Sequence, residues 1–236
     1  MTYSALGDRG ADVAAEGCRY DPAGTAFTLR AGDARVPTRL PLIGDFNVAN
    51  ALGAAAAAVA LGVVPEDAAA RLGTLPQVPG RLERVAERPA VLRDYAHTPD
   101  ALERALRAVR PFARGRLVVV FGAGGDRDRG KRPEMGRVAE QLADAVVLTS
   151  DNPRTEDPER ILDDIAAGMQ AAPAARIEDR RAAIAHALVD AGPEDVVLLA
   201  GKGHETYQIR GTETLPCDEA AIVRELVGSR AAGHAP

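Results

Sequence analysis

Two five-residue runs, Leu117-Val118-Val119-Val120-Phe121 and Val196-Val197-Leu198-Leu199-Ala200, contain no polar side chain, and each breaks directly into a glycine-containing charged segment. A short, unalternating, largely β-branched apolar run is what a strand buried on both faces requires. Such a strand needs helices above and below its sheet. Helical patterns do separate the strand-like segments from residue 80 onward. Residues 85–95 hold one or two strands. Residues 99–109 read as a helix that places Ala101, Leu102, Ala105, Leu106 and Val109 on one face. Helix 133–142, strand 145–149, helix 159–169, short strand 175–178 and helix 180–190 follow, then the second apolar run, a hairpin over 209–215 and a last helix over 218–227. This alternation predicts an α/β fold with a doubly wound, mostly parallel sheet.

The first eighty residues are written differently. β-like runs at 12–18, 25–30 and 35–43 are separated by turn residues. An Ala-rich helix over 46–61 follows, with Asp45 or Asn47 as its N-cap, and Pro65 opens a second helix over 66–72. Proline and glycine near 77–80 suggest a boundary. Aromatic residues are only 3% of the chain and Trp is absent, so the core must be aliphatic.

Net charge is −5 and no Lys/Arg run occurs, which argues against a nucleic-acid partner. The longest apolar stretch, 54–62, is mostly Ala and too short to span a bilayer. No membrane insertion is expected. The first residues lack an apolar leader, and the two cysteines, Cys18 and Cys217, form neither a disulfide framework nor a zinc pattern. A monomer in the cytoplasm is the expectation, with both cysteines as packing residues. His186 falls mid-helix and reads as structural.

Ligands of open α/β sheets bind beyond the carboxyl ends of the strands. Four polar segments stand there: Asp94-Tyr95-Ala96-His97, residues 122–131 (GAGGDRDRGK), residues 150–154 (SDNPR) and residues 201–205 (GKGHE). Each has a plain reading, as a solvated charged loop, a turn, or a helix start with Thr98 as N-cap. Together they suggest one crevice of mixed charge, suited to a zwitterion or a phosphate. The glycines at 122–125 do not complete a dinucleotide fingerprint, because Arg127 stands where its third glycine belongs. No G-x-x-x-x-G-K-[ST] loop occurs.

These segments, with GDFNVAN at 44–50, PGRLE at 79–83, Asp179-Arg180 and AGKGHETYQ at 200–208, resemble the Mur ligases of peptidoglycan synthesis, in the family's order over nearly the whole chain. The similarity is greatest to the branch that adds the third, diamino acid residue of the stem peptide. It implies an ATP- and Mg²⁺-dependent amide ligase: the D-Glu carboxylate of UDP-MurNAc-L-Ala-D-Glu is phosphorylated, and the amine of the diamino acid attacks the acyl phosphate. It implies a diamino-acid site of Arg127, Asp151, Asn152, Pro153, Arg154, Gly201 and Glu205, and nucleotide contacts from Asn47, Asn50, Arg81, Asp94 and His97. It assigns no catalytic or metal-ligating residue within these 236 positions. Arg154 favours meso-diaminopimelate, whose second carboxylate a guanidinium can clamp. Lysine and ornithine are the alternatives.

The resemblance also implies a partition. Residues 1–79 match the last part of the family's central ATPase domain, residues 80–228 match a Rossmann-like doubly wound C-terminal domain, and residues 229–236 form a frayed tail. The family's phosphate-binding loop and UDP-sugar domain have no counterpart in the chain. Two readings follow: a piece of a diaminopimelate-adding ligase that does not turn over alone, or a non-catalytic diamino-acid-binding module. Three departures from the family pattern stand out. Ala123 replaces a common Cys, Arg93 occupies a usually apolar place, and Cys217-Asp218-Glu219 keeps only part of an acidic element, so Asp218 receives no contact.

Overall fold

The computed structural model describes residues 1–233, with side chains through Ser229. The chain divides into two compact units that meet in sequence between Val78 and Pro79.

The first unit opens with β1 (Tyr3–Ser4), β2 (Val13–Asp21), β3 (Gly24–Ala31) and β4 (Ala34–Leu40), which form one sheet in that order. β2, β3 and β4 are antiparallel neighbours, and β1 runs parallel to β2. Val13, Ala15, Phe27, Leu29 and Leu40 cover one face and bury Val48, Leu52 and Ala55 of α1 (Asp45–Ala60) and Leu72 of α2 (Pro65–Gly73). Alanine along α1 lets that helix approach closely while keeping high helix propensity. The expected N-cap is not realised. Gly44 is the capping residue, without a side-chain bond. The Asp45 carboxylate accepts from its neighbour's amide, Phe46 N, at 2.7 Å, and the Asn47 amide donates to Ile43 O at 2.8 Å.

The second unit holds β5 (Glu83–Glu87), β6 (Ala90–Asp94), α3 (Pro99–Val109), β7 (Leu117–Phe121), α4 (Lys131–Leu142), β8 (Ala145–Leu148), α5 (Pro158–Ala166), β9 (Ala175–Arg176), α6 (Arg180–Val189), β10 (Val196–Ala200), β11 (Tyr207–Arg210), β12 (Glu213–Pro216) and α7 (Glu219–Gly233). The main sheet has the order β5-β6-β10-β7-β8-β9. β6, β10, β7, β8 and β9 are mutually parallel, β5 is an antiparallel edge, and β11–β12 is a separate hairpin. Helices α3, α4 and α5 pack in series, as do α6 and α7. Val91, Val118, Val120, Val197 and Leu199 bury against Ala183, Ile184, Ile222 and Val223 of the α6–α7 layer. Pleating turns Leu92, Leu117, Val119, Phe121 and Leu198 to the other face, where all are equally buried.

Thr98 caps α3 by accepting from Ala101 N, as expected, and Asp157 and Asp179 do the same for α5 and α6. One expectation fails. The tail is not frayed from residue 229, because α7 continues to Gly233 and the Ser229 hydroxyl donates to Leu226 O; residues 234–236, with His234, lie outside the described residues. His186 lies within α6, as expected, and is exposed there. Cys217 is buried among the aliphatic residues of the α7 side, and burial pushes its thiol pKa up. No helix of the described residues is long and apolar enough to cross a membrane.

Candidate functional site

Because β6, β10, β7 and β8 are parallel neighbours, their carboxyl ends share one edge, and all four polar segments leave from it. The topology adds a switch point: the chain passes from β6 to β7 and returns with β10 between them. This is where an open α/β sheet opens a crevice.

The segments after β8 and β10 interlock. Asn152 is almost fully buried; its carbonyl oxygen Oδ1 accepts from Lys202 Nζ at 3.0 Å and Ile209 N at 2.9 Å, and its Nδ2 donates to Glu205 Oε2 at 3.0 Å. Lys202 is fully buried, lies 3.4 Å from the Glu205 carboxylate and sits over the Tyr207 ring. Asn152 therefore fixes Glu205 and the hairpin, with each side-chain polar atom already bonded within the protein.

Asp151 is different. It is buried, yet its Oδ2 has no hydrogen-bond partner in the protein. An unpartnered buried carboxylate oxygen costs free energy unless something donates to it. Gly201 stands opposite, at φ +114°, and a Cβ there would lie 2.7 Å from that oxygen. Glycine meets both demands, the unusual backbone angle and the close approach.

Arg154 holds a left-handed conformation, φ +52°, unusual for a side chain of this size. Backbone bonds on both sides impose it: Arg154 N donates to Ile209 O at 3.0 Å and Gly211 N donates to Arg154 O at 2.6 Å. Its Nη1 donates to Gly125 O at 2.9 Å, and no carboxylate of the described residues pairs with it. Arg127 is exposed and likewise has no ion pair among the described residues. The two side chains flank Gly124, where an added Cβ would lie 3.0 Å from Arg154 Nη1 and 3.7 Å from Arg127 Cγ. Pro153 contributes backbone, its carbonyl accepting from Glu156 N.

The other charges of the same loop are committed. Arg132 is fully buried on Glu156 at 2.8 Å and Asp164 at 2.8 Å, and Arg129 also reaches Glu156. The hydrogen bond from Arg132 leads the causes that bring the Glu156 pKa down to about 2. Burial pushes the Lys131 ammonium pKa down, opposed by Asp151 and Asp128, and its Nζ donates to His97 O at 2.7 Å.

A second cluster surrounds Tyr95. The Arg81 guanidinium lies 5.2 Å from its ring centroid, and the His97 ring meets it edge-on at 4.7 Å. Gly203, at φ +56°, packs where a Cβ would come within 2.7 Å of Tyr95 Cβ. Asp94 is mostly buried, and its Oδ2 accepts from Leu82 N at 2.7 Å. Burial raises its pKa, while the Leu82 and Ala96 amides and the Arg81 charge oppose the rise. Arg81 and His97 present an exposed cation and an exposed imidazole, which fit a nucleotide's phosphates and base. Asn47 and Asn50 belong to the first unit, Asn47 buried and Asn50 exposed. No group of three or more His, Cys, Asp and Glu among the described residues is gathered to hold a metal ion, so none is assigned to Mg²⁺.

A family model described as the Mur ligase, glutamate ligase domain, matches residues 80–203, more than half of the chain. The chain belongs to the Mur ligase family. A UDP-N-acetylmuramoyl-L-alanyl-D-glutamate–2,6-diaminopimelate ligase from Synechococcus elongatus is 50% identical over 98% of this chain and 47% of its own length. A solved structure titled with the same ligase name superposes with a TM-score of 0.76 at 37% identity, covering 97% of this chain and 47% of that one. A MurF ligase from Thermotoga maritima, solved in complex with ADP, shares the fold at 18% identity with a TM-score of 0.65, over 96% of this chain and 48% of its own. The chain spans about half the length of the curated relatives it matches.

Within this Mur ligase chain, sequence reasoning passed over Lys202, Tyr95 and Arg132. Lys202 carried the one available signal, a lysine between two glycines directly after an apolar strand. Arg93, the departure noted above, is buried and paired with Glu83 at 2.7 Å and Asp218 at 3.7 Å. Asp218 has, besides, the work of accepting from Ala220 N and Ala221 N at the start of α7.

Proposed function

We propose that this chain supplies the diamino-acid site, and part of the nucleotide site, of an ATP- and Mg²⁺-dependent amide ligase that joins meso-diaminopimelate to UDP-MurNAc-L-Ala-D-Glu. One observation carries the reading. At a single sheet edge, a buried Asp151 with a free oxygen neighbours a backbone-strained Arg154 with no acidic partner. That pairing of unmet demands is complementary to a molecule carrying both ammonium and carboxylate. Arg127, beside Arg154, offers a further carboxylate contact. Glu205, held by Asn152 and Lys202, adds negative charge, and Gly201 keeps side-chain bulk away from the Asp151 carboxylate. The names of the relatives, and the 50% identity of the Synechococcus ligase, support the choice of amino acid.

Bound ATP would supply the phosphoryl group that activates the dipeptide carboxylate, with ADP leaving at that stage and phosphate when the amine takes its place. The contribution of this chain is placement: a fixed amine held against an acyl carbon removes much of the entropic barrier to the bimolecular step. Arg81, His97 and Asp94 would hold the nucleotide side. No phosphate-binding loop occurs in the 236 residues, and turnover needs one.

Calorimetric titration of the 236-residue protein tests the reading. Meso-diaminopimelate is expected to bind and L-lysine to bind more weakly. Arg154→Ala is expected to weaken meso-diaminopimelate by about tenfold to a hundredfold, as for lost charge-assisted hydrogen bonds, and to leave lysine unchanged. Equal affinity for the two amino acids, or an unchanged preference in Arg154→Ala, overturns the assignment. ADP release by the 236 residues alone, dependent on both the UDP-dipeptide and meso-diaminopimelate, overturns the division of labour.

A further inference from the structure

The Asp179-Arg180 pair belongs to the sequence pattern but has no role in the site described so far. Asp179 caps α6. Arg180, the first residue of that helix, is 2% exposed and points inward under the sheet edge. Its Nη1 donates to Ser150 O at 3.2 Å, its Nη2 to Ala200 O at 2.9 Å and its Nε to Glu219 Oε1 at 2.8 Å. Ser150 immediately precedes Asp151, and Ala200 immediately precedes Gly201. These carbonyls stand at the start of the segments after β8 and β10, two strands that are not neighbours, since β7 lies between them. One planar guanidinium therefore spans the gap. It ties the carbonyl before the free carboxylate to the carbonyl before the glycine that faces it.

The partner is as buried as the arginine. Glu219 is 0% exposed at the first position of α7, where a negative charge suits the helix N-terminus, and its Oε2 has no hydrogen-bond partner. A buried ion pair is a poor device for stability alone, because an apolar pair of similar volume is often as stable or more so. An apolar pair, however, donates nothing to two carbonyls. Arginine has the fork geometry that reaches both while keeping a third donor for the glutamate.

We infer that Arg180, held by Glu219, is a positioning residue that sets the spacing between Asp151 and Gly201, and so the placement of the Asp151 carboxylate and the affinity of the site for its amino acid. The inference rests on the proposed diamino-acid site. Arg180 touches no ligand in this arrangement; it acts through the backbone of the two loops.

The test measures meso-diaminopimelate binding by calorimetry and thermal stability side by side in the 236-residue protein. Arg180→Lys keeps the charge but loses the fork, and its affinity is expected to fall by about tenfold to a hundredfold, the scale of losing charge-assisted bonds to two carbonyls. The deciding variant is Arg180→Met with Glu219→Leu, which removes the pair as a unit. Its melting temperature is expected near or above that of the parent while meso-diaminopimelate binding stays weak. Recovery of both stability and affinity in that double variant overturns the inference and makes the pair purely structural. Parent affinity in a folded Arg180→Lys does the same. Failure of the parent protein itself to bind meso-diaminopimelate overturns the site reading instead, so the two failures are distinguishable. Glu219→Gln keeps the fork and removes only the counter-charge. It is expected to bind more tightly than Arg180→Lys, and the reverse order overturns the assigned roles.

Discussion

The two units bury charge in opposite ways. In the first, among the described residues, Arg30 is the charged side chain that is buried, and its partners are the part-exposed Glu16 and the carbonyls of Asp8 and Ala11. Neither helix of that unit has a side-chain N-cap. The second unit buries Arg93, Asp94, Arg132, Asp151, Arg180, Asp195, Lys202 and Glu219, and caps α3, α5 and α6 with side chains. Removing charge from water is costly, so a region that does it repeatedly has a use for fixed polar geometry. The first unit is held mainly by its apolar interior. The second adds charged contacts at both ends of its strands, with Asp195 and Arg116 at the amino edge and the two unmet demands, Asp151 and Arg154, at the carboxyl edge.

Removing Arg132 is the strongest challenge to this contrast. Arg132→Ala leaves Glu156 and Asp164 without their buried partner and is expected to cost about 3–5 kcal/mol, read as a lowered midpoint in urea. Arg30→Ala in the first unit is expected to cost less, about 1–2 kcal/mol, because the one carboxylate it leaves behind, Glu16, is already part-exposed to water. Equal costs would erase the distinction.

Acid sharpens it next. The Glu156 pKa in the folded protein is about 2, held below the ordinary 4.5 first by Arg132. A lowered carboxylate contributes stability that is present above its unfolded pKa and is lost as pH falls through the folded one. Stability of the second unit is therefore expected to decline between about pH 4.5 and 2, and to decline less in Glu156→Gln, followed by circular dichroism. An unchanged acid profile in that variant removes Glu156 from the account.

Gly201→Ala places a Cβ against Asp151 at a backbone angle hostile to side chains, and is expected to cost about 1–3 kcal/mol. Gly32, also at positive φ but with open space around its Cβ position, is expected to cost less on the same change. The smallest effect concerns caps: Thr98→Ala should cost about 1 kcal/mol, whereas Asp45→Ala, whose carboxylate caps nothing beyond its neighbour, should cost a few tenths at most. Comparable losses would show that α1 depends on its first residue after all.

Much of the second unit was legible in the sequence. Unbroken apolar runs announced β7 and β10 to the residue, and Thr98-Pro99 announced the start of α3. The four polar segments were found because each follows such a run. What could not be read was which charges are occupied. Arg127, Arg129, Lys131 and Arg132 lie within six positions, and only the packing of α4 against α5 separates the fully buried Arg132 from the exposed Arg127. The start of α1 was placed within one residue, but its cap was not, because Gly44 holds that position without a side chain to signal it. The last helix was cut short because Gly228 reads as a stop locally, while α7 carries through it.

The place of β10 has a consequence for how the chain comes off the ribosome. It is the last strand of the main sheet to be synthesised, yet it sits in the middle, between β6 and β7. Until about residue 200 has emerged, those two strands each present an open edge, the exposure that invites wrong pairing between nascent chains. Vectorial folding from the N-terminus can complete the first unit early. The second must wait and then close almost at once, so a chaperone that shields two neighbouring strand edges would act on this protein late in translation.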